Sequence, residues 1–227
     1  VIYFHVFYNL VRCLAMVPFA EPMARFCERL IQDEPELDAR LKPKHLDTSA
    51  LDTPALALAN AARETLRIGD AMETMLEGLQ KVMHGEPREE KELRRIADDI
   101  NVLYTAIKLY LARIPQDELA EEESRRWAEI IEMSLNLEQA SDIVERMGSE
   151  IADKSLATRQ AFSGEGLKEL EALHEQLVSN LKLAMSVFFS SDVPSARRLR
   201  RNKHRFRILN RRYSHAHVER LHQQNVQ

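Results

Sequence analysis

Glycine and cysteine are scarce in this sequence, at six and two residues of 227, and there is a single tryptophan. So few glycines leave no phosphate-cradling loop and no dinucleotide fingerprint, each of which needs several in one turn. No nucleophile stands with a base in a catalytic pattern, so the sequence gives no support for an enzyme. Cys13 and Cys27 are too few for a disulfide framework, and both lie in apolar, helix-like surroundings where a thiol behaves as a small hydrophobe. That fits a reducing compartment. Sustained period-2 alternation is absent too, which argues against strands. No basic segment precedes the first apolar run and no small-residue cleavage site follows it, so no signal peptide is expected. The chain opens on Val1, and it reads as part of a longer polypeptide.

Charge of one sign is not in excess overall, the formal net charge being -4, but its distribution is uneven. Glu86 to Asp153 holds 18 acidic and 9 basic residues, whereas Val193 to Gln227 holds 10 basic residues and one acid, Glu219. The middle is acidic and the end is basic.

Of the first 20 residues, 16 are apolar or aromatic; the others are His5, Asn9, Arg12 and Pro18. Twenty helical residues rise about 30 Å, the thickness of a hydrocarbon core. Arg12 lies in mid-run, where a charge is costly unless it faces protein or water. Hydropathy alone therefore leaves two readings of 1–20, a membrane segment packed on partners or a soluble core helix. Residues 21–50 read as a short amphipathic helix (Met23 to Ile31) and a proline-bearing linker.

Turn signals near Gly85, Pro115, Gly164 and Pro194 cut the remainder into five expected helices, near 54–83, 87–113, 118–154, 165–190 and 194–225. In the second, Leu93, Ile96, Ile100, Leu103, Ile107, Tyr110 and Ile114 alternate in steps of three and four, a seam for antiparallel bundle partners. The third carries Trp127, Ile130, Leu137, Val144 and Ile151, with Ser134, Ser141 and Gly148 between them, small enough to let helices approach closely. In the last, Leu199, Phe206, Leu209, Tyr213 and Ala216 predict a buried face on a very basic helix. The expected fold is all-α, an antiparallel bundle with a three-helix unit at 51–156 and a similar unit of two helices at 157–227, an internal repeat lacking its last helix.

Glu138 and Asp142 stand four apart on one helix face with Glu145 a turn further on, and Asp98 and Asp99 are candidates to meet them from the second helix. Facing carboxylates hold metals in bundles. The plainer alternative is a solvated or salt-bridged face, since 36 acidic residues give many such pairs by chance. His215 and His217, two apart on a helix, point about 200° from each other and cannot share a zinc ion with His222 while the helix stays intact. The nine cations from Arg197 to Arg212 could neutralise phosphates or carboxylates. Only Phe206 and Tyr213 interleave them, both on the expected buried stripe, so base-stacking platforms are lacking and nucleic acid is not the expected partner. Acidic surface of the same protein or anionic headgroups are expected instead, met through Arg198, Arg201, Arg205 and Arg212.

Two segments resemble known families. His5-Val6-Phe7-Tyr8-Asn9 followed by Val17-Pro18-Phe19 is similar to the closing transmembrane helix of bacterial sodium/phosphate cotransporters, with Tyr8 in place of the usual Phe. Leu51-Asp52-Thr53-Pro54-Ala55-Leu56-Ala57-Leu58, continuing to Glu64 and Leu66, resembles the start of their cytoplasmic extension. Such extensions are PhoU-like, with two repeats of three helices. The resemblance implies a bacterial inner-membrane protein whose remaining part moves inorganic phosphate with sodium as coupling ion. It further implies that this helical domain acts in the cytoplasm as a regulator or docking platform, with a homo-oligomer or a regulatory protein as partner. Arg25, Arg29, Arg40, Lys42 and Lys44, close behind the apolar segment, agree with a cytoplasmic side. The family's metal signature, E/D-x-x-x-D, carries over to Glu138 and Asp142. The second-helix copy retains Asp99, with Ala97 and Asn101 in the acid positions, and the second repeat has Lys203 and Arg207 where acids are expected. A divalent ion or an iron cluster is the cofactor so implied. The competing reading is a soluble helical scaffold that binds a protein or an anionic surface through its basic last helix.

Overall fold

The computed structural model describes residues 42–115, 117, 119–158 and 162–225, the last three without side chains, together with Tyr3, His5, Phe7, Tyr8, Asn9 and Arg12. It divides into two compact units, Val1–Arg40 and Leu41–Gln227. In the first, the six described residues are helical and exposed. Pro18, the amphipathic helix expected at 23–31 and the linker up to residue 41 lie outside the described residues. Among the described residues no helix is long and apolar enough to cross a membrane.

The second unit is built of five long helices: α1 (Pro54–Met83), α2 (Glu90–Leu111), α3 (Glu121–Thr158), α4 (Gly164–Ser190) and α5 (Val193–Asn225), with 3-10 turns at Thr48–Asp52 and Pro87–Glu89. No strand occurs among the described residues. The boundaries follow local chemistry. Pro54 opens α1, where its missing N–H costs nothing. Gly85, at φ 92°, turns the chain out of α1 in the left-handed conformation that a side chain would resist. Ser163 caps α4 by accepting from the Gly166 N–H, and Asp192 does the same for the Ser195 N–H at the start of α5. The third helix begins at Glu121, later than the expected 118. Pro115, Leu119 and Ala120 ahead of it are non-helical, and Glu123 reaches back to accept from the Ala120 N–H at 3.0 Å.

Helices α1, α2 and α3 close a three-helix bundle around a largely apolar seam. Ile68, Met75 and Leu76 from α1, Leu93, Ile100, Leu103 and Ile107 from α2, and Ile130 from α3 are fully buried. At roughly 2 kcal/mol per buried aliphatic side chain these are the principal source of stability. Across the seam Thr65 and Ser134 share a buried hydrogen bond of 2.9 Å, so the small polar position of α3 is satisfied. Tyr110 donates to the Asp47 carbonyl and Trp127 to that of Leu111, fastening one end of the bundle.

The small residues of the third helix do what their spacing predicts. Leu93 lies between two glycines: a Cβ on Gly78 of α1 would sit 2.8 Å from Leu93 Cδ2, and one on Gly148 of α3 would overlap Cδ1. Leu93 is clamped on both sides and cannot swing away from either. Gly148→Ala is therefore expected to destabilise the domain by about 1–3 kcal/mol, the usual cost of overpacking. In a Leu93→Ala background the same change should cost much less. A double-mutant cycle in urea checks this, and equal costs in the two backgrounds would show that the clamp is not the cause.

Helix α4 packs antiparallel on α1. His174 Nε2 lies 2.9 Å from the Leu76 carbonyl, Lys182 pairs with Glu73 at 3.3 Å, and Met185 fills the space over Gly69. Helix α5 packs chiefly on α4. The seam expected on α5 has the right spacing but less depth: Leu199, Phe206, Leu209, Tyr213 and Ala216 are half-buried, and none is fully enclosed. One neighbouring helix covers one side of such a stripe only.

Candidate functional site

The acidic pair sits on α3 where the seam turns outward. Leu137 and Ser141 face the core, which leaves Glu138 half-buried and Asp142 exposed beside it. Burial, then the neighbouring Asp142 charge, push the Glu138 carboxyl above the usual carboxylate range, and Lys108 of α2 partly offsets them. Glu145 is drawn off by Arg94 of α2, at 3.4 Å. Asp99 is buried 3.7 Å from Arg95 of its own helix, while Asp98 is exposed. Among the described residues no group of three or more His, Cys, Asp or Glu is placed to hold a metal ion, so Asp99 does not complete a set with Glu138 and Asp142. Two carboxylates are few for hard cations, which take six or more oxygens.

Two outcomes are expected. Elemental analysis of chelator-free protein should find less than one equivalent of iron, zinc, manganese or magnesium, and a full equivalent lost in Glu138→Ala/Asp142→Ala would establish a metal site. A carboxyl whose folded pKa lies above its unfolded one subtracts stability as pH rises through the unfolded value, and in full above the folded one. Glu138→Gln should therefore raise the melting temperature slightly at pH 7 and leave it unchanged at about pH 3, where the carboxyl is protonated folded and unfolded. A fall at pH 7 would mean that the charge is welcome where it stands.

The basic helix has the opposite character. Every cation from Arg197 to Arg212 is exposed, Arg198, Arg201, Arg205 and Arg212 among them. None of these nine has a described carboxylate within ion-pair distance. The exception on α5 lies beyond the run: Arg220 makes a two-pronged pair with Glu169 near the start of α4, one bond being 2.9 Å. That hydrogen-bonded pairing holds the Glu169 carboxyl below its ordinary range. The pair borders a cavity of about 570 Å³ lined also by Lys154, Tyr213 and His217. Arg220 is thereby committed to the hairpin itself.

Sequence reasoning missed a third constellation. Glu64 of α1, fully buried, accepts from the Lys44 and His45 N–H groups at 3.1 and 2.9 Å and pairs with Arg67. Arg67 in turn donates to the Lys42 carbonyl at 3.1 Å. The segment that leads into the bundle is strapped to α1 by one carboxylate. The only signal was the Glu64/Arg67 spacing of three, common on any helix.

No protein-family model and no solved structure matches the chain. Proteins of Escherichia coli, Shigella flexneri and Salmonella typhimurium, each named "Putative inorganic phosphate export protein YjbB", are 86% identical to it over all 227 residues. The chain spans 42% of the length of these relatives. Glu64, the α3 pair and the basic helix thus stand in a sequence that is similar, over its whole length, to YjbB-type proteins.

Proposed function

We propose that this chain forms the last membrane helix (1–20) and the cytoplasmic regulatory helical domain of an inorganic phosphate transporter of the bacterial inner membrane. The observation that carries the reading is 86% identity, without a gap in coverage, to relatives named for inorganic phosphate export. Export is the direction in that name. Sodium as coupling ion, and a phosphate pathway in the rest of such a protein, follow from the resemblance of His5 to Asn9 and Val17 to Phe19 to the closing helix of sodium/phosphate cotransporters.

The helical unit suits a regulator or docking platform. It has a largely apolar bundle core for rigidity, an inward-strapped leading segment and an unpaired cationic helix on its surface. The internal repeat is read as PhoU-like, α1–α3 forming one repeat and α4–α5 the start of the next. The rival reading, a soluble scaffold that binds through α5, makes a different prediction in cell fractionation. The transporter reading expects the native protein in the membrane pellet after an alkaline wash, and recovery in the soluble fraction favours the scaffold.

A further inference from the structure

The two ends of the helical unit differ. His174 against Leu76 and Met185 against Gly69 set α4 antiparallel to α1, so α4 ends beside the start of α1, where Phe189 borders a groove with Ala55, Leu58 and Ala59. The leading segment reaches the unit near this end, tied by Glu64 to Lys44 and His45 and by Tyr110 to Asp47. Beyond the left-handed turn at Ser191, α5 starts here.

This end carries the two largest apolar side chains of the α4–α5 corner in the open. Phe189 is 67% and Val193 57% exposed, two apolar side chains in the open four residues apart. Directly behind them come Arg197, Arg198, Arg200 and Arg201, all exposed and none with a described carboxylate within ion-pair distance. Of the nearby acids, Glu121 pairs with Arg125, Glu129 with Arg126, and Glu123 caps Ala120, while Asp192 caps the Ser195 N–H and feels the charge of Arg198, and Glu132 shares a groove with Val193. Glu122 faces the same groove as Arg63.

We propose that Phe189, Val193 and the four arginines of the first turns of α5 form a docking tip for an anionic phospholipid surface. Apolar side chains that enter the headgroup boundary, backed by cations that snorkel to phosphates, are the combination interfacial segments use. A nucleic-acid surface would have no use for the exposed valine and would want several aromatic platforms among the cations, whereas the tip's one exposed aromatic, Phe189, lies on α4 outside the run of arginines. The tip covers the first three turns of α5, about 15 Å, and leaves Arg211 and Arg212 at a distance from it. The inference goes beyond the transporter reading, because the tip would hold the unit to a bilayer whether or not residues 1–20 insert.

The test uses the full chain with Cys13→Ser and Cys27→Ser and a spin label on Val193→Cys, mixed with phosphatidylcholine vesicles with or without phosphatidylglycerol. Retention after an alkaline wash reads insertion of residues 1–20, and collision of the label with oxygen against a water-soluble nickel complex reads the tip, so the two ideas fail separately. With anionic vesicles the label should become shielded from nickel at least about tenfold, an effect screened by salt. Arg197→Gln/Arg198→Gln/Arg200→Gln/Arg201→Gln should abolish the shielding, while Arg211→Gln/Arg212→Gln should leave it within about twofold. Equal exposure of the label with both kinds of vesicle, shielding that survives the four changes, or stronger shielding by duplex DNA than by anionic vesicles would each overturn the proposal.

Discussion

Replacing Ile100 and Leu103 together by Asp should abolish the cooperative melt of the helical unit. Both side chains are fully buried in the α2 seam, within the apolar core that α2 shares with α1 and α3. Each change removes the transfer energy of a large aliphatic group, and each leaves a carboxylate with neither water nor a partner. Two such losses together match or exceed the roughly 5–15 kcal/mol by which a domain is stable. Circular dichroism of the 227-residue chain should lose most of its helical signal. Unchanged helicity and melting temperature would mean that the α2 seam is not the core.

Glu64→Ala should be the most damaging single polar change, at about 3 kcal/mol. Removing the carboxylate leaves the Lys44 and His45 N–H groups without their acceptor and takes Glu64 away from Arg67. Arg67 is partly exposed, which moderates the loss, and Glu64→Gln, which keeps the shape and one acceptor oxygen, should cost about 1 kcal/mol. Urea unfolding supplies both values. Faster hydrogen exchange of residues 42–47 in the Ala variant would locate the effect in the strap, and a loss spread over α1–α3 instead would deny it that role.

The helices were legible because their signals are local. Pro54, Gly85, Gly164 and Pro194 punctuate the chain, and the three-four spacing from Leu93 to Ile107 specifies one buried face wherever the partners lie. Gly148 was legible as a close-approach position for the same reason. The depth of burial on α5 was not, since spacing tells which face turns inward and not how many helices cover it. Glu64 was not legible either: its partners are backbone groups about 20 residues away, which no side-chain pattern announces. The acidic pair was visible as an i,i+4 spacing, but whether Asp99 would join it depended on the rotation of α2 about its axis. Asp99 is turned into the bundle beside Arg95, away from such a set.

The role proposed for this chain is a part in inorganic phosphate movement. Its most direct test is the efflux of labelled phosphate from phosphate-loaded cells that carry the gene for this chain in its native context, intact or with the Ile100→Asp/Leu103→Asp pair. The account predicts efflux above that of cells lacking the gene, altered in rate or in response to phosphate load when the helical unit is unfolded while the protein stays in the membrane. Efflux equal in all three strains, with the intact protein present in the membrane fraction, would contradict it.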